Sequence, residues 1–157
     1  MPRRATLTGV AAALAIAAVL VTGCGGSSRL SPAEFAKRAD AECTQADKSA
    51  PQTAPRTAKQ AVRYTQQQID GRTALDAELR KLSPPKSESG TFASFNAGTA
   101  ELLGVLRQQR TAAQKNDENR YAKLNDVFSK IAQAREKLAA ALGFKVCGRS
   151  VVAGAKK

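Results

Sequence analysis

Residues 91–106 read Thr91-Phe92-Ala93-Ser94-Phe95-Asn96-Ala97-Gly98-Thr99-Ala100-Glu101-Leu102-Leu103-Gly104-Val105-Leu106. Phe92, Phe95, Thr99, Leu102, Leu103 and Leu106 recur at three- and four-residue steps, which puts them on one face of an α-helix. The pattern predicts a helix from about Thr91 to Lys115 with that stripe turned to a core. Upstream, Ser31-Pro32-Ala33-Glu34 has the form of a capping box with Pro at the first helical position. It opens a helix to about Ala50, ahead of Pro51 and Pro55. Phe35, Ala36, Ala39, Cys43, Ala46 and Ala50 share its inward face, which is narrow enough for close packing. A helix from about Thr57 to Leu82 is stopped by Ser83-Pro84-Pro85. Its stripe is broken: Val62 and Ile69 lie on one side, Leu75, Leu79 and Leu82 well round from them, with Gly71 between as a place for a bend. Asn116 or Asp117 caps a last helix to about Leu142, striped by Tyr121, Leu124, Phe128, Ile131, Leu138 and Leu142 and ended by Gly143 at C′. No segment alternates as a strand does. Four amphipathic helices with short connections make an all-α fold, an antiparallel four-helix bundle over residues 31–148. A coiled coil is disfavoured because the heptad fails in the second helix.

Before the bundle the composition changes. Arg3 and Arg4 start the chain, residues 5–21 are apolar or small, and the first acidic residue is Glu34. A positive start, a short apolar run and small residues before a cut describe a signal peptide. The end of that run, Val21-Thr22-Gly23-Cys24, resembles the lipobox of bacterial lipoproteins, which implies lipid on the Cys24 thiol and cleavage just ahead of it. The predicted order is a signal peptide over 1–23, a flexible tether over 24–30, the bundle, and a basic tail over 149–157. An uncleaved membrane span would be about 17 residues, at the short limit. An ordinary secretory signal leaves the position of Cys24 as coincidence. Arg3-Arg4 also hints at twin-arginine export, but Ala5-Thr6-Leu7 matches that motif poorly. The expected location is the extracytoplasmic face of the cell membrane, with the membrane itself as partner through the lipid on Cys24.

The chain carries 25 Lys and Arg against 13 Asp and Glu, a formal charge of +12. Two of the basic residues and none of the acidic ones lie before Cys24, so cleavage leaves +10. The charge is spread rather than clustered, and no aromatic interleaves with a basic run as in single-strand binders. Nucleic acid is not an expected partner. Attraction to anionic lipid or wall polymer and a simply solvated surface are the two readings of the excess. With Cys24 lipidated, Cys43 and Cys147 remain, one pairing in a compartment where disulfides persist. Two free buried thiols are the alternative.

There is no histidine. That removes the commonest general base and most zinc sites. No Gly-rich loop joins a strand to a helix, so no nucleotide cradle appears. Asn116-Asp117-Glu118-Asn119 lacks the alternating oxygen ligands and central Gly of a calcium loop and reads as a helix cap. No catalytic residue, metal or cofactor is expected. One constellation remains. Arg72, Arg110 and Arg135 project onto or near the apolar stripes of their helices, and Glu42 sits at the edge of the stripe on the first. Buried charges need partners, which suggests a Glu42–Arg72 or Glu42–Arg135 bridge, or side chains snorkelling to the surface. The functional alternative is an anionic pocket lined by Arg72 and Arg135.

Three further segments, in order, resemble a broad group of small helical lipoproteins from high-GC Gram-positive bacteria. They are Phe35-Ala36-Lys37-Arg38-Ala39-Asp40-Ala41-Glu42-Cys43, Leu79-Arg80-Lys81-Leu82-Ser83-Pro84-Pro85 and Leu142-Gly143-Phe144-Lys145-Val146-Cys147-Gly148. The resemblance implies a disulfide-closed bundle on the outer membrane face and carries no activity with it. The expected function is a non-enzymatic interaction module at the cell envelope, docking an envelope protein or an anionic wall or lipid surface. The alternative is a lipoprotein that holds an anionic or amphiphilic small molecule between its helices.

Overall fold

The computed structural model describes residues 29–149. The expected signal peptide, Cys24, the first part of the expected tether and all but Arg149 of the basic tail lie outside them. Helices α1 (Pro32–Ser49), α2 (Ala58–Leu79), α3 (Ser89–Gln114) and α4 (Glu118–Ala141) follow in chain order, with no strand among the described residues. The all-α bundle is as the periodicity predicts.

Local chemistry sets the helix ends. Ser31 Oγ accepts the Glu34 amide, with Pro32 at the start of α1. Glu34 does not complete the reciprocal half of the box; its carboxylate pairs with Arg38 one turn on. Thr57 caps α2 through the Gln60 amide, and Asp117 caps α4 through the Arg120 amide. Gly143 takes φ 73° as the C′ residue after α4, the left-handed conformation that Gly adopts without strain. Two boundaries differ from the sequence expectation. Helix α2 ends at Leu79, and residues 80–82 tighten into i→i+3 turns, Lys81 to Glu78 and Leu82 to Leu79, ahead of Pro84. Helix α3 starts two residues early, at Ser89. Helix α2 runs unbroken through Gly71.

The core is aromatic at one end. Phe35 of α1 meets Phe92 of α3 edge-on with ring centres 5.0 Å apart, and Phe144 packs on both Phe35 and Phe95. Phe35 and Phe95 are wholly buried, each contributing about 1.5–3 kcal/mol by burial. Helix α3 is the spine, packed against both α2 and α4, whereas the backbone of α1 comes close to that of α2 alone. What joins α1 to α4 is the strap over 143–148. Asp40 of α1 accepts the amides of Lys145 and Val146 at 2.8 Å and of Cys147 at 3.2 Å. On its other side the strap seats Gly148 so tightly that a Cβ there would lie 2.9 Å from the Ala139 Cβ of α4. Cys43 and Cys147 are bonded, with Cα atoms 5.2 Å apart across 104 residues of sequence. A loop of that length is worth on the order of 4–5 kcal/mol in the chain-entropy account. No helix among the described residues is long and apolar enough to cross a membrane.

Candidate functional site

Helix α2 buries Ala61, Thr65, Ile69 and Leu79, a stripe at helical spacing on which Arg72 and Asp76 also fall. Arg72 is partly buried, and its guanidinium lies over the ring of Phe128 on α4, 5.2 Å from the centroid. Burial, more than any neighbour, pulls its pKa down.

The buried stripe of α4 is not the one the large apolar residues suggest. Ala132, Arg135 and Ala139 are buried, while Tyr121, Leu124, Phe128, Ile131 and Leu138 are only partly so. Small residues let α4 approach its neighbours closely, and Arg135 threads the gap they leave. Its stem crosses Gly98 of α3 with no room to spare: a Cβ at Gly98 would stand 2.8 Å from the Arg135 Cγ. The guanidinium ends over the face of Phe95, 4.0 Å from its centroid, a cation–π contact worth about 0.5–2 kcal/mol. Arg135 is 7% exposed, and its Nε is buried without a hydrogen-bond partner. Burial, with Arg72 nearby adding to it, pushes its pKa down to about 10.

These two arginines share a cavity of about 70 Å³ with Arg149 just past the strap, the disulfide and the Cys43, Ala46, Asp47, Ala50 face of α1. Among the described residues the ion pairs are Arg38–Glu34, Arg80–Asp76 and Lys81–Glu78. Neither Arg72 nor Arg135 is in one, and residues 1–28 and 150–157 contain no Asp or Glu. Two carboxylates lie in their field. Asp47 lines the cavity, its pKa raised by burial and held back by Arg149 and Arg72. Asp76 favours the charged form of Arg135 from beyond ion-pair distance. Three arginines against one aspartate among its lining residues leave the cavity with a positive balance.

The bridge suggested for Glu42 is absent: among the described residues Glu42 pairs with neither arginine. The reason is angular. Cys43, Ala46, Asp47 and Ala50 form the face of α1 toward the cavity, and Glu42 is turned about 100° away from Cys43. The strap, besides, occupies the space between α1 and α4. Arg110, the third arginine singled out, leaves its stripe to donate to the Gln66 side chain on α2. Cys43 and Cys147 meet as expected.

Beyond Arg72 and Phe128, the cleft between α2 and α4 continues as a groove of about 380 Å³. Tyr64, Tyr121 and Phe128 supply rings to it, and Gln68, Gln109, Asn125 and Ser129 supply hydrogen-bonding groups, with Ala54 and Pro55 at one end. Tyr64 and Gln68 line both spaces. The periodicity predicts Tyr121 and Phe128 on an inward stripe and gives no signal for Tyr64; both predicted rings are only partly buried, and α1 is short, 18 residues against 26 in α3.

Compared with known proteins, the chain matches no family model, no curated protein and no solved structure.

Proposed function

We propose that this chain is a bacterial lipoprotein, held on the extracytoplasmic face by lipid on Cys24, that works by binding an anionic group between its helices and carries out no catalysis. The observation that carries the binding reading is Arg135. Its guanidinium is buried, its Nε lacks an acceptor, and a second arginine from another helix shares its cavity with no carboxylate in ion-pair contact. Uncompensated buried charge costs several kcal/mol, and an oxyanion in the cavity would offset that cost. The anchoring reading rests on residues 3–24, and the absence of histidine supports binding over turnover. The volume of about 70 Å³ suits a ligand end the size of a carboxylate or phosphate.

Docking of an envelope protein is the less supported form of the reading. Among the described residues Val127 is the one large apolar side chain that is exposed, and protein-docking surfaces show contiguous apolar patches.

The test is a thermal melt of the mature protein in detergent, with phosphate, sulfate or citrate against chloride at equal ionic strength. A ligand selective for the folded state raises the midpoint with its concentration. The expected result is a dose-dependent rise in wild type that is absent in Arg135→Met. No rise, or an equal rise in the variant, would overturn the reading.

A further inference from the structure

The arginine cavity does not end at the arginines. Arg72 lies over Phe128, and on the far side of that contact the cleft widens into the 380 Å³ groove, with Tyr64 and Gln68 forming a wall common to both. The two compartments differ in size and in chemistry. The smaller holds a few water volumes at most and counts three arginines among its lining residues. The larger falls in the range of small-molecule sites, and no charged side chain lines it.

Its lining discriminates among neutral groups. Rings of Tyr64, Tyr121 and Phe128 face the same space as the polar ends of Gln68, Asn125 and Ser129. The Asn125 carbonyl already accepts from Gln109 and Gln68 is bonded to Tyr64, so what an acyl chain would leave dry is the remaining amide hydrogens and the Ser129 hydroxyl, at about 1–3 kcal/mol for each polar group that loses water. A fully polar ligand would waste the ring faces. A sugar ring answers both, since it has hydroxyls at its rim and a C–H face that packs on aromatic rings. Building on the anion site proposed above, we infer that the α2–α4 cleft takes a saccharide bearing one carboxylate or phosphate, with the anionic group at Arg72 and Arg135 and the ring in the groove.

Titration calorimetry on the mature protein in detergent, at fixed ionic strength, tests this with defined probes. Inorganic phosphate and acetate are the bare anions, glucose 1-phosphate and glucuronate the sugar anions, and hexyl phosphate the apolar control. At least one sugar anion is expected to bind about tenfold or more tighter than its bare anion, equivalent to about 1.4 kcal/mol. Which one gains tells phosphate from carboxylate. Tyr121→Ala and the groove-filling Ser129→Trp are each expected to bring the sugar anions down to bare-anion affinity, and Arg135→Met to remove binding of both. If bare anions bind and sugar anions bind no tighter, the saccharide inference falls and the anion site stands. A gain with hexyl phosphate equal to that with glucose 1-phosphate also overturns it, in favour of an amphiphile. No binding of any probe overturns both readings.

Discussion

Arg135 concentrates the chemistry of this chain in one side chain. It is buried as deeply as the core around it, over Phe95 and across Gly98, yet lacks an ion-pair partner. A charge in that position is retained at the expense of stability, because desolvation outweighs the attraction available to it. Arg135→Met keeps the length of the stem and removes the charge. It is expected to leave stability unchanged or raise it by up to about 2 kcal/mol, where truncation of an ordinary core residue lowers it; urea denaturation measures this. The pH dependence follows from the sign of the shift. The folded-state pKa of about 10 lies below the ordinary arginine value, so above about pH 10 the unfolded chain holds a proton that the native chain has released. Native stability therefore rises with pH through that window, and the advantage of the Met variant shrinks as pH is raised above about 10. A loss of several kcal/mol at neutral pH would show that Arg135 is a structural residue. The two arginines were legible in the sequence because each falls on an inward stripe. Their partner was not. A helical wheel places Glu42 near the right edge, but which quadrant of α1 faces α2 is settled by the packing of Phe35, Ala39 and Cys43, and that packing brings Asp47 to the cavity instead.

Among the elements, the strap over 143–148 does what a direct α1–α4 contact does in other bundles. It has no regular structure of its own, so its amides need acceptors, and Asp40 supplies them for three consecutive residues. Asp40→Ala, with the disulfide intact, is expected to lower stability by about 1–3 kcal/mol, the range for stranded amide donors. Helix content by circular dichroism should stay near wild type, because α1 remains tied through Cys43. An unchanged urea midpoint would mean that water replaces the carboxylate at no cost. The existence of the four helices and their caps could be read directly from period and punctuation, since both are local properties. The disulfide could be read because two cysteines allow one pairing. The strap's role could not: three amides converging on one carboxylate 105 to 107 residues away is a product of tertiary structure, and in the sequence Asp40 is one more polar residue three before Cys43. The groove escaped notice for a similar reason, because Tyr121 and Phe128 carry the same periodic signal whether or not a helix covers them.

For the whole molecule, the entry of the chain fixes an orientation. The Leu30 amide donates to the Ser83 carbonyl and the Arg29 guanidinium to that of Pro84, so the segment arriving from Cys24 joins the bundle at the α2–α3 turn. The five residues from Cys24 to Arg29 span about 18 Å at full stretch. On the lipoprotein reading, that turn sits near the bilayer, and the loop with Pro51 and Pro55 points away from it. The anchor is checked by intact mass of the protein extracted from membranes. The expected mass is that of residues 24–157 plus acyl chains, less two hydrogens, which return on reduction. An unacylated mass would remove the anchor and leave the cavity to be explained in a free secreted protein.

The strap also gives the site a history. Cys147 and Arg149 follow all four helices in chain order, and they form a wall of the arginine cavity together with the bond to Cys43. On the lipoprotein reading the chain is exported amino end first, so the helices would be through before that wall arrives, and the wall would be locked only where thiols oxidise. Until that carboxy-terminal wall has followed the helices across, the protein would have two arginines but an unlocked receptacle for an anion. On that reading, competence to bind would be acquired last, on the side of the membrane where the ligand would be met, and cytoplasmic phosphates would find no locked site to occupy.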